Sequence, residues 1–204
     1  MAEADAGRMR DSILKEIGSI GTAHAATALE RMTGHQIGVK PTVMYEVPLA
    51  EVFRIFSGTP EMQVGIYRRM QEGLNGCLVF FVPKGRSYEF VDLIRELPEN
   101  TTTVLGDMEQ SVLRESGGIV CASYVNAIAA MTRTTIRLTV PKLIFDQKGQ
   151  VLEAILEGLF LPDTTALVIE NDFSVTDRSV KGYFLLVPEP GELLKLVELM
   201  EATL

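Results

Sequence analysis

Ser12-Ile13-Leu14-Lys15-Glu16-Ile17-Gly18 and Ser111-Val112-Leu113-Arg114-Glu115-Ser116-Gly117 share one pattern, met twice at an offset of 99 residues. The match runs outward at the same offset. Ile20 falls on Ile119, Ala23 on Ala122, Ala28 on Ala127, and Met32-Thr33 on Met131-Thr132. Farther on, Phe81-Val82-Pro83-Lys84-Gly85 matches Leu186-Val187-Pro188-Glu189-Pro190-Gly191 at an offset of 105, so the second copy carries extra residues in its middle. Self-similarity at a fixed offset is the mark of one structural unit used twice. The chain therefore reads as one domain over residues 1–204, built from two repeats at about 9–98 and 107–200.

Each repeat reads as helix, strand, short helix or loop, strand, strand, helix. The opening helix covers about Met9 to Met32, where Met9, Ile13, Ile17, Ile20 and Ala28 recur largely at steps of three and four. Gly34 stands where a left-handed cap would end it. Ile37 to Val47 alternates as a strand, with Pro41 and Pro48 marking an edge, a bulge or an end. Gln63 to Arg69 and Gly76 to Val82 are strands joined through the turn-rich Glu72-Gly73-Leu74-Asn75-Gly76. The second repeat offers Thr135 to Phe145, Ala166 to Ser174 and Lys181 to Val187, with a short helix expected at Val151 to Phe160. Amphipathic helices at Tyr88 to Leu97 and Glu192 to Met200 close the two copies. Strands joined by tight turns are antiparallel neighbours. The predicted fold is α+β: a pseudo-two-fold duplicated unit, a predominantly antiparallel continuous sheet, and long helices on one face.

Apolar residues form 47% of the 204, enough for a sizeable core. The apolar run Leu78 to Val82 has the length of a strand and is far too short to span a bilayer. Residues Met1 to Arg10 lack an apolar stretch of the secretory kind, so no signal peptide is expected. Cys77 and Cys121 sit in apolar surroundings without paired spacing, which suits buried reduced thiols in the cytoplasm. The net charge of −8, with no basic cluster, argues against nucleic acid as a partner.

Helical positions i, i+4, i+7 and i+11 lie along one line. Ser12, Glu16, Ser19 and Ala23 form such a line, and Ser111, Glu115, Gly118 and Ala122 form another. Each sets one carboxylate among small residues, a shallow surface into which a partner can press. A single helical glutamate is ordinarily solvated surface. Its recurrence at one offset, while the apolar position Ile17 has become Ser116, singles out Glu16 and Glu115.

The stretch Leu14 to Leu29, LKEIGSIGTAHAATAL, resembles the signature of the CheC-type chemotaxis phosphatases, relatives of CheX and FliY. Leu113 to Cys121 resembles the same element, and Val187 to Leu193 resembles the family's closing segment. The family pattern is Asp or Ser, three residues, Glu, two residues, Asn, and then Pro about two dozen residues later. Ser12, Glu16 and Pro41 match it in the first repeat; Ser111, Glu115 and Pro141 match it in the second. The resemblance implies hydrolysis of the phosphoaspartate on the response regulator CheY. In that chemistry the glutamate pairs with the regulator's lysine and an amide holds a water in line with phosphorus. It implies no cofactor of the protein's own, with Mg²⁺ carried by the regulator. This chain departs from the pattern at the Asn, replaced by Ser19 in one repeat and Gly118 in the other. A serine hydroxyl can still bond water, although it reaches less far than an amide; glycine offers no group.

Three readings follow. One is a phosphatase working through Glu16 and Ser19, with Glu115 as its second-repeat counterpart and Ser12, Ser111 and Gly118 as contacts. Another is a non-catalytic adaptor that binds CheY or the receptor deamidase CheD, for which the resemblance nominates Asp146. A third, a structural part of a flagellar switch, is disfavoured because no extension for switch binding is seen at either end. His24 is expected on the inner side of its helix, the methionines as core filler, and Arg68-Arg69 as solvated edge charge. Gly18 and Gly21 inside a helix suggest close approach by the sheet or by a partner, at a cost of about 1 kcal/mol each.

Overall fold

The computed structural model describes residues 2–52, 63–146 and 164–201. Their elements are α1 (Ala2–Thr33), β1 (Gly38–Pro48), β2 (Gln63–Gln71), β3 (Gly76–Pro83), α2 (Lys84–Ile94), α3 (Asp107–Thr132), β4 (Arg137–Leu138), β5 (Lys142–Asp146), β6 (Thr165–Val175), β7 (Arg178–Pro188) and α4 (Glu192–Glu201). The sheet order is β1-β6-β7-β3-β2-β4, with β5 also paired to β2, and every pairing is antiparallel. The order is the same read from either edge: an opening strand of one half, then the hairpin of the other. At the centre Val79 pairs with Leu185 and Phe80 with Phe184. The predicted helix at Val151 to Phe160 lies outside the described residues.

Alternation along the strands sorts side chains onto two faces. Val64, Ile66, Met70, Leu78, Phe80, Leu167, Ile169, Phe173, Phe184 and Leu186 face the helices and meet Ile13, Leu14, Ile17 and Leu29 of α1 and Leu113, Val120, Tyr124 and Ile128 of α3. Phe80, Phe90 and Phe173 close this core with ring centroids 5.2–5.8 Å apart, mostly edge-to-face, the arrangement ring quadrupoles favour. The opposite face is apolar too: Cys77, Val79, Phe81, Val168, Leu185 and Val187 are buried there with Leu49 and Val52. Strands buried on both faces read as unbroken apolar runs, which is why Leu78 to Val82 shows no alternation.

The opening helix buries a slightly different stripe from the one predicted. Ile13, Leu14, Ile17, Ala25 and Leu29 are buried, whereas Ile20 and Ala28 are only half-buried. Polar residues inside the helices turn back on the backbone. Thr22 Oγ1 donates to the Gly18 carbonyl at 2.7 Å and Ser116 Oγ to the Val112 carbonyl at 2.7 Å. Ser116 can therefore stand fully buried, as Ile17 does 99 residues earlier. Gly21 is required by packing, because a Cβ there would collide with the Tyr124 ring. Gly18 is likewise pressed by Met44 of β1, and Gly117 would set a Cβ 2.7 Å from Ile66. The close approach is made by the protein's own sheet and helices.

Gly34 ends α1 at φ +81°, the predicted left-handed cap, with open space around it. Its counterpart at the end of α3 is Arg133, at φ 53° and ψ 32°. A side chain pays conformational strain in that region that glycine escapes. Arg133→Gly is expected to stabilise the protein by about 1 kcal/mol. Urea unfolding checks this, and a lowered midpoint would contradict it.

Candidate functional site

Ser12, Glu16, Ser19 and Ala23 are all exposed along one line of α1, while Ile13, Leu14 and Ile17 beside them are buried. The face is held rigidly by the core below it and open to solvent above. Pro41, the last matching position, is exposed on the edge strand β1, where the register shifts between Pro41 and Val43. That shift is the bulge expected of a proline in an edge strand. His24 is exposed, contrary to its predicted inward position. It lies one residue past Ala23 on a helix turning by roughly 100° per residue, beside the stripe and away from the core.

The second stripe differs in depth. Ser111 and Glu115 are exposed, Ala122 is half-buried, and Gly118 is buried. The cover over Gly118 is Pro141, whose Cγ lies 3.3 Å from where a Cβ would sit. Helix α3 and Pro141 are thus brought into contact at Gly118. The predicted strand Thr135 to Phe145 is broken into β4 and β5 at this point. Arg68 explains the break: its Nε donates to the Thr139 carbonyl at 2.8 Å and its Nη1 to the Gly118 carbonyl at 3.2 Å. Thr139 also bonds through both its N–H and its hydroxyl to the backbone of Arg69. These bonds replace regular pairing over 139–141.

Arg68 corrects the reading of Arg68-Arg69 as solvated edge charge. Its guanidinium is half-buried, and burial lowers its pKa from the ordinary arginine value. Only Arg69 behaves as predicted, exposed and 2.9 Å from Glu189. Alternation was the signal that could have found Arg68, since it shares the inward side of β2 with Val64, Ile66 and Met70. Asp146 ends β5 opposite Gln63. Cys77 and Cys121 are free and buried, and burial pushes both thiols up to about 12; Arg68 opposes that shift at Cys121.

Among the described residues no group of three or more His, Cys, Asp or Glu is placed to hold a metal ion. No described helix is long and apolar enough to cross a membrane. Each stripe offers a solvent-facing carboxylate with a serine hydroxyl one turn before it, and α1 adds the Ser19 hydroxyl. A solvent-facing carboxylate can pair with a partner's cation, and a hydroxyl one turn away can hold a water.

The model of the CheC-like family matches residues 108–144, which span the second stripe and Pro141. The chain is 27% identical to the CheY-P phosphatase CheC of Bacillus subtilis over 198 residues, 94% of each chain. In structure it is similar to FliY of Thermotoga maritima, with a TM-score of 0.78 and 20% identity over 97% of this chain and 98% of that one. The middle domain of FliM from H. pylori shares the fold at a TM-score of 0.65 and 7% identity, over 95% of this chain and 98% of that one.

Proposed function

We propose, from the premise that the chain belongs to the CheC/CheX/FliY family, that it binds the phosphorylated response regulator CheY in the cytoplasm and promotes hydrolysis of its phosphoaspartate. The observation that supports this most is the exposed line Ser12, Glu16 and Ser19 on a helix whose other side is locked in the core. Two of these residues stand at the matching positions of the family pattern, and the third stands where its amide would be. We also read the two halves as repeats of one unit.

An acyl phosphate already set beside a lysine and Mg²⁺ on the regulator needs little covalent help. Glu16 pairs with the regulator's lysine and fixes the docking register. Ser19 Oγ, three residues along and on the same line, holds a water toward phosphorus. A hydroxyl holds that water at shorter reach than an amide, and positional slack of this kind costs rate steeply. The protein supplies no nucleophile and no cofactor of its own in this scheme.

The test is loss of phosphate from CheY with native protein and with Ser19→Asn. The native chain should exceed the regulator's own autohydrolysis, and Ser19→Asn should raise the rate by about tenfold or more. If saturating amounts of both forms leave autohydrolysis unchanged, hydrolysis is not the function. Binding that persists without turnover would assign the adaptor role instead. The burial of Gly118 favours that adaptor role for the second stripe, where Glu115 and Ser111 are the exposed contacts. CheD, with Asp146 as contact, stays a further candidate partner of such an adaptor.

A further inference from the structure

We infer that Arg68 is a positioning residue that shuts the second stripe, confining hydrolysis to the first. The two stripes meet their pattern prolines in different ways. Pro41 pairs with Asn171 across the β1–β6 ladder. Extending the Tyr67–Lys142 pairing by one residue places Pro141 opposite Arg68 in the same manner. Asn171 is buried and turned inward, accepting from Tyr124 at 2.6 Å and donating to the Ile169 carbonyl at 3.2 Å. Arg68 at the equivalent place, also on the helix-facing side, instead spans from the Thr139 carbonyl to the Gly118 carbonyl.

The guanidinium fork is rigid and planar, so two carbonyls held by one fork fix the spacing between the loop and the helix. Thr139 is tied to Arg69 by two further bonds, so the loop cannot swing aside while the fork holds. Pro141 is consequently pinned over position 118, already at tight contact distance from a single added carbon. An Asn side chain there has three more heavy atoms to place under that lid. Position 19 has no such cover: Ser19 is exposed. The absence of a side chain at 118 is therefore built into the packing, whereas the serine at 19 sits in an open place that an amide can occupy.

The activity arm of the test rests on the phosphatase reading; the stability arm does not. In the full chain, Ser19→Asn should accelerate loss of phosphate from CheY by about tenfold or more, and Gly118→Asn by no more than about twofold. In an Arg68→Ala background, Gly118→Asn should gain most of the missing factor relative to Arg68→Ala alone. A Gly118→Asn gain equal to that of Ser19→Asn with Arg68 intact overturns the inference. The stability arm is a double-mutant cycle in thermal unfolding. Gly118→Asn should lower the melting temperature by several degrees with Arg68 present and by much less with Ala at 68. Additive shifts overturn the clamp even if no regulator is turned over. A coupled melt with no hydrolysis by any variant upholds the clamp and removes the phosphatase reading.

Discussion

Tyr124→Ala is expected to remove about 3–5 kcal/mol of folding stability, the range for deleting a large buried aromatic. The ring has no exposure and stacks on Phe184 at a centroid distance of 4.1 Å. It also fills the space left by Gly21, so it joins α1, α3 and the sheet in one contact. The cavity would open between three elements that cannot collapse together without breaking their other contacts. Tyr124→Phe separates the polar share: it keeps the ring and leaves Asn171 Oδ1, buried, without its 2.6 Å donor. About 1–3 kcal/mol is expected for that change alone. Urea unfolding of both variants checks the pair, and equal losses would show that the ring itself contributes little.

Asp92→Ala is expected to cost about 2–3 kcal/mol, since hydrogen bonds to a charged acceptor are among the stronger ones. Asp92 is 1% exposed on α2 and accepts from Thr102 N at 2.9 Å and Thr101 N at 3.1 Å. Its own carbonyl accepts from Leu97 N at 2.8 Å. One aspartate thus folds the connection between the two halves back onto the helix that closes the first. Alanine would leave both backbone donors without their carboxylate acceptor. Asp92→Asn, which keeps one acceptor oxygen, should recover part of the loss. Amide exchange at Thr101 and Thr102 gives a local readout, and unchanged protection there in Asp92→Ala would refute the assignment.

Local pattern carried most of the fold. The strands at 63–71, 76–83, 165–175 and 178–188 lie within a few residues of their predicted bounds. Gly34 and the bulge after Pro41 were legible because glycine and proline act through their own backbone. The break at 139–141 was not legible, because it depends on Arg68, about 70 residues away in sequence. The second buried face of the sheet escaped for a related reason: an apolar run does not say on how many sides it is covered. Of the site, spacing alone placed Ser12, Glu16, Ser111 and Glu115 on exposed lines. It could not show that Gly118 lies beneath Pro141, since a helical line says nothing about what crosses it.

The exchange of edge strands has a consequence for how the chain is made. β1 pairs with β6, so partners such as Pro48 with Thr165 and Gly38 with Ser174 stand 117 to 136 residues apart. Pairings this distant slow folding, because loop closure precedes any reward. On a ribosome adding roughly 5–20 residues per second, β1 waits several seconds or longer for its neighbour to emerge. Through that interval the newborn first half holds an unsatisfied strand, and only completion of the last hairpin retires it.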